Sequence, residues 1–83
     1  MADDAPSIRT LAGQLAYLFE DDPDLRTASD EEIAKRLNRN DRYARARERY
    51  PMHTDKEVEE HVGEFEDRIT AAAVREARGQ IPK

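Results

Sequence analysis

Apolar residues recur from Ile8 onward at the spacing of an amphipathic helix. Steps of three or four positions place them on one helical face. The members of this stripe are Ile8, Leu11, Ala12, Leu15, Ala16, Leu18 and Phe19. Ser7 precedes the stripe and is the predicted N-cap, and Pro23 cannot continue a helix. The pattern therefore predicts a first helix between these two residues.

The segment TASDEEIAKRLN predicts a second helix. Ser29 followed by Glu32 has the spacing of a capping box. The buried stripe of this helix is Ile33, Ala34 and Leu37. Asn38 is a residue type that adopts the left-handed conformation, so we expect it to stop the helix. A third helix is then predicted over residues 41–50, ending before Pro51.

A long C-terminal amphipathic helix is predicted from Thr54, which forms a second capping box with Glu57, to about Arg78. Its apolar stripe has steps of four and three, and its members are Val58, Val62, Phe65, Ile69 and Ala72. Two arrangements fit this heptad spacing. The stripe either covers the core formed by the preceding helices or packs against a second copy in a homodimer. The interface candidates are Val58, Val62, Phe65 and Ile69.

No alternation typical of a β-strand is found along the chain. The predicted fold class is all-α: a small bundle of about four helices with a helix-turn-helix-like middle and a long C-terminal helix. Residues 7–78 are expected to form one domain, between a flexible tail at 1–6 and a frayed tail at 79–83. A chain of 83 residues buries only a modest core.

Composition argues against several function classes. The chain has no cysteine and two histidines, which makes a poor zinc set, and its three glycines are isolated, so no phosphate-binding loop is predicted. We therefore expect no catalytic activity, no cofactor and no metal. No apolar run reaches membrane-spanning length and the first residues do not resemble a secretory signal, so a cytoplasmic protein without membrane contact is predicted.

Charge is distributed unevenly within a net charge of −5. Residues 35–50 carry seven basic and two acidic side chains, whereas residues 1–34 carry two basic and nine acidic ones. On a helix over residues 41–50, Arg42, Arg45 and Arg49 share one face. Lys35, Arg36 and Arg39 extend that basic surface. Guanidinium groups stay charged and match phosphate geometry, so these six residues are candidates for contact with nucleic acid.

The segment SDEEIAKRLNRNDRYARARERY resembles a helix-turn-helix unit, and DEEIAKRLN is similar to the positioning helices of many bacterial and phage regulators. In that resemblance Ala34 is the small residue packed against the next helix, and Asn38 stands where the family usually has glycine in its turn. The resemblance implies that residues 41–50 are the recognition helix of a DNA-binding regulator.

Two functional hypotheses remain open. In the first, the chain is a small helical regulator that contacts DNA through its arginine-rich helix. In the second, it is an acidic protein–protein interaction module, such as an inhibitor, an adaptor or a phage assembly factor, without nucleic-acid contact. Pairing of the arginines with acidic neighbours of the same chain would exclude the first hypothesis. The acidic candidates are Glu20, Asp21, Asp22 and Asp24.

Overall fold

The computed structural model describes residues 6–81 and is all-helical, with four α-helices in that range. The helices are α1 (Ile8–Asp21), α2 (Asp30–Arg49), α3 (Asp55–His61) and α4 (Ala71–Arg78). Short 3-10 helices occupy Pro23–Thr27 and Val62–Glu64. Most of the two predicted tails, residues 1–5 and 82–83, lies outside the described residues.

The helix starts follow the capping residues of the sequence. The Ser7 hydroxyl accepts a hydrogen bond from the Thr10 amide, and the Ser29 hydroxyl accepts one from the Glu32 amide. Thr54 and Glu57 form both hydrogen bonds of a capping box at the start of α3. These side chains satisfy amides that have no partner within the first helical turn.

The hydrophobic core joins α1, the first half of α2, and α4. The buried cluster comprises Leu11, Leu15, Leu18, Phe19, Ile33, Ala34, Leu37, Ile69, Val74 and Ala77. Leu25 and Ile81 are partly buried and pack against it. Arg78 connects α4 to the loop before α2 and to the first residue of α2. Its guanidinium donates to the carbonyls of Ala28 and Arg26 and to the Asp30 carboxylate. In residues 6–81 no helix is both long and apolar enough to cross a membrane.

The predicted turn at Asn38 is absent, because α2 continues from Asp30 to Arg49 through that residue. The predicted second and third helices are therefore one helix, about 30 Å long at 1.5 Å per residue. Asn38 is 4% exposed. Its side chain forms hydrogen bonds with residues 65–70, which pass back over α2 and which we call the returning segment. This engagement requires no left-handed backbone, and none of the non-glycine residues from 6 to 81 has a positive φ. The turn implied by the helix-turn-helix resemblance is not formed.

The prediction of one long C-terminal helix is also wrong. Helix α3 ends at His61, residues 65–70 run without regular secondary structure, and Thr70 caps the new helix α4 by accepting a hydrogen bond from the Ala73 amide. Gly63 lowers helix stability at the break. Beyond it, the amides of Arg68 and Ile69 donate to the Asn38 side chain of α2 and not to carbonyls one helical turn earlier. The heptad spacing of the stripe was therefore compatible with a helix that the chain does not form.

Asn38 holds this returning segment by three hydrogen bonds. Its Nδ2 donates to the Ile69 carbonyl at 2.8 Å, and its Oδ1 accepts from the amides of Ile69 at 2.9 Å and Arg68 at 3.2 Å. The side-chain amide thus provides both a donor and an acceptor to a backbone that has no strand partner. These hydrogen bonds place the Ile69 side chain in the hydrophobic core.

We expect Asn38→Ala to lower the free energy of unfolding by about 2 to 4 kcal/mol, because it leaves three backbone groups at or near the core without partners. Urea denaturation measures the loss. Asn40→Ala is the matched control, since Asn40 is exposed on the same helix and its change should be close to neutral. Equal effects of the two substitutions would contradict the role given to Asn38.

Candidate functional site

The face of α2 that carries Arg42 and Arg45 is covered by the returning segment, residues 65–70. The Arg42 guanidinium forms an ion pair with Asp67 at 3.1 Å. Arg45 donates to the Glu66 carbonyl, and its guanidinium carbon lies 5.3 Å from the centre of the Phe65 ring. Two of the three arginines predicted to face solvent therefore attach the returning segment to the helix.

Asp41 is the centre of an ion-pair network on this face. Arg68 binds it in a bidentate arrangement, with two N–O distances of 2.9 Å, and Arg45 approaches the same carboxylate at 3.0 Å. The side chains of Asp41 and Arg45 are each 11% exposed. Two guanidinium groups compensate the charge of this nearly buried carboxylate, which would otherwise be costly to desolvate.

The acidic partners differ from those that the sequence suggested. Arg47 pairs with Asp55 at 2.8 Å, so the arginines of α2 use Asp41, Asp55 and Asp67. Among the described residues, the acidic segment Glu20, Asp21, Asp22 and Asp24 forms no ion pair. Arg49 is exposed at the end of α2.

Lys35, Arg36 and Arg39 form the remaining basic surface, which we name the α2 ridge. All three are exposed, and within residues 6–81 no ion pair involves them. They line a shallow groove together with Leu25, Glu32 and Arg42. The six residues predicted to contact nucleic acid thus fall into three groups. Lys35, Arg36 and Arg39 form the exposed ridge, Arg42 and Arg45 are paired within the chain, and Arg49 is exposed at the end of α2.

The four predicted interface residues do not share one helical face. Val58 is buried where α3 meets α2, Ile69 belongs to the core, and Val62 and Phe65 are half-buried. Val58 belongs to α3, Val62 to the second 3-10 helix, and Phe65 and Ile69 to the returning segment. The described residues therefore do not form the continuous stripe that a coiled-coil dimer needs.

A groove between α1 and α2 was not anticipated. It is a cavity of about 370 Å³ whose wall includes Leu18 and Leu37, with Ala44 further along α2. Tyr17 lies at its rim and is 78% exposed, although it belongs to a helix that is otherwise apolar only on its inner face. Glu20 and Asp21 are exposed beside Tyr17. The sequence signal for this surface was an aromatic residue outside the apolar stripe of α1.

A cluster of three aromatic rings, those of Tyr50, His53 and His61, was not predicted from the sequence, because the turn after α2 brings the rings together. The Tyr50 ring stacks on His61 with centroids 4.0 Å apart, and His53 lies 5.0 Å from Tyr50. Glu64 accepts a hydrogen bond from the Tyr50 hydroxyl at 2.8 Å and contacts His61 Nδ1. These contacts hold the end of α2 against α3.

The same contacts shift two pKa values. Hydrogen bonds from His61 and then Tyr50 hold the pKa of Glu64 below its ordinary value, because they stabilise the carboxylate. The hydrogen bond to Glu64 raises the pKa of Tyr50. No group of three or more histidine, cysteine, aspartate or glutamate side chains suited to a metal ion occurs in the described part of the chain.

Comparison with protein-family models finds no matching family, and comparisons with curated proteins and with solved structures find no match.

The lowered pKa of Glu64 predicts how stability depends on pH. The stabilisation is complete above the pKa of an unfolded glutamate, about 4.3, and is lost as the pH falls through the lower folded value. We therefore expect the melting temperature of the wild type to fall more between neutral pH and about pH 3 than that of Glu64→Gln. The control Glu60→Gln removes an exposed carboxylate of α3 and should follow the wild type. Parallel curves for all three proteins would exclude this role of Glu64.

Proposed function

We propose that this protein is an interaction module that binds a protein partner through the groove between α1 and α2. The observation that carries the proposal is the position of Tyr17, which stands largely exposed at the rim of a groove whose lining combines Leu18, Leu37 and Ala44 with four polar residues. Tyrosine is among the residue types that contribute most to protein interfaces, because it buries a large rigid ring and keeps a polar end.

The size and lining of the groove suit a side chain of a partner protein. A cavity of about 370 Å³ falls within the range of sites that hold small ligands or anchoring side chains. Leu18 and Leu37 lie in its wall with only 7% and 4% of their surface exposed, and the exposed Ala44 adjoins them, so an aliphatic or aromatic anchor placed there would be partly removed from water. Gln14 and Asn40 add polar groups at the rim, which supply hydrogen bonds around such an anchor.

The charge around Tyr17 specifies the partner further. Glu20 and Asp21 are exposed beside it, and the ion pairs of the described residues leave both carboxylates without a cation. Complementary charge favours encounter with the correct partner and disfavours like-charged ones. The partner segment is therefore one that combines an apolar anchor with lysine or arginine.

The internal pairing of Arg42 and Arg45 supports this function over DNA recognition by residues 41–50. Both guanidinium groups bind the returning segment or Asp41, so reaching a base edge would require breaking contacts that hold the fold. A recognition helix also needs the preceding turn to set its angle, and α2 is continuous through Asn38.

Site-specific photo-crosslinking in the native host tests the groove directly. A benzoylphenylalanine placed at position 17 should give one discrete adduct with another protein. Position 52 is the matched control, because Met52 is the other large apolar side chain that is exposed among the described residues. The adduct from position 17 should weaken when Glu20→Gln and Asp21→Asn are added, since the partner loses its complementary charges.

Two results would contradict the proposal: the absence of an adduct from position 17, and the same adducts from positions 17 and 52. An adduct with twice the mass of the chain would instead identify the partner as a second copy.

A further inference from the structure

We infer that the α2 ridge, formed by Lys35, Arg36 and Arg39, is a binding site for the phosphate backbone of nucleic acid. This site is separate from the groove between α1 and α2, and the inference does not depend on the function proposed for that groove. The sequence prediction placed the nucleic-acid contact mainly on Arg42, Arg45 and Arg49, and the structure moves its centre toward the N-terminal half of α2.

The charges of the ridge are available to a ligand. The three side chains are exposed, whereas Arg42, Arg45, Arg47, Arg68 and Arg78 each form an ion pair within the chain. An anion that binds the ridge therefore displaces water from it and breaks no contact of the fold. That availability distinguishes the ridge from Arg42, Arg45 and Arg47 of the same helix, and Arg49, which is also exposed, lies ten residues beyond Arg39.

The ridge extends along the axis of α2, with Lys35 and Arg39 about 40° apart around the helix and Arg36 about 100° from Lys35. Lys35 and Arg39 are four residues apart, about 6 Å along the helix axis, and Arg36 lies between them. A nucleic-acid strand in a duplex presents one phosphate about every 3.4 Å of axis, so the ridge spans about two phosphates of one strand. Arg42 lies one turn further along, and its side chain is still 34% exposed beside Asp67, so it can extend the line.

The groove beside the ridge is open and shallow. Four cationic side chains and one carboxylate, that of Glu32, line it around Leu25. Such a surface differs from an enclosed pocket for a single phosphate group, in which donors converge on one point. Leu25 is half-buried in the core, so no exposed apolar side chain is present there to enter a lipid bilayer. These features favour a nucleic acid over a phosphopeptide or a membrane.

The contacts carry no sequence information. Lysine and arginine bonds to phosphate fix position, whereas specificity requires contact with base edges. The nearby arginines that could extend to a base, Arg42 and Arg45, are attached to the returning segment. Binding is therefore expected to be independent of sequence and strongly dependent on salt.

Fluorescence anisotropy with a labelled random-sequence duplex, and with one of its strands alone, tests the inference. The test variant is Lys35→Gln, Arg36→Gln, Arg39→Gln. The control variant is Arg9→Gln, Lys56→Gln, Arg75→Gln, which removes one lysine and two arginines from exposed positions elsewhere and changes the net charge equally. Circular dichroism verifies that both variants keep the helical content of the wild type.

For the wild type we expect log K to fall with log salt concentration at a slope of about −3 for duplex, from roughly three phosphate contacts, two at the ridge and one at Arg42. The test variant should bind at least about tenfold more weakly at low salt, and the control should lose less than about threefold. Arg39→Gln alone should reduce the slope by about one, which keeps the test decisive if the triple variant does not fold.

Four outcomes would overturn the inference: no binding at low salt, a flat salt dependence, equal losses in the test and control variants, or full binding by the test variant. Vesicles containing phosphatidylserine form a further arm. Ridge-dependent binding to vesicles without binding to either oligonucleotide would assign the ridge to a membrane and reject nucleic acid. None of these results affects the crosslinking expected at position 17, so the two proposals fail independently.

Discussion

The side-chain amide of Asn38 is the interaction on which the arrangement of the second half of the chain depends. The returning segment has no regular secondary structure, yet Ile69 must enter the core. A backbone that approaches a core must have its polar groups satisfied, and the Asn38 amide bonds the Ile69 carbonyl and two consecutive amides. With the segment held there, Thr70 can begin α4, and Arg78 at the other end of α4 reaches the loop before α2.

This constraint also accounts for two of the arginines concentrated in α2, Arg42 and Arg45. One turn beyond Asn38, Asp41 lies almost buried under the returning segment, and its charge is compensated by Arg45 and Arg68. Arg42 binds Asp67 of the same segment. The exposed members of these pairs add little stability individually. Together they determine where the segment lies along α2, since each contact falls about one turn from the next.

Local signals in the sequence predicted the helix starts and failed for the tertiary contacts. Ser7, Ser29 and Thr54 act within three residues of themselves, so their roles can be inferred from spacing alone. The role of Asn38 depends on a backbone about thirty positions away, and its residue type is equally common at helix ends. The same limit applies to the site: the charges of the arginines were evident, but which of them would be paired depended on where the returning segment lay.

The two surfaces for which binding is proposed lie on different sides of α2. Leu37 and Ala44 face the groove shared with α1, whereas Lys35 and Arg39 face the shallow groove beside Leu25. Residues two positions apart on a helix point about 200° apart, so a ligand in one groove leaves the other uncovered. The surfaces also differ in kind, since one offers an apolar cavity with adjacent carboxylates and the other a line of cations. A single helix therefore holds the proposed protein-binding surface and the proposed phosphate-binding surface in a fixed relation, as a small adaptor between a protein and a nucleic acid requires.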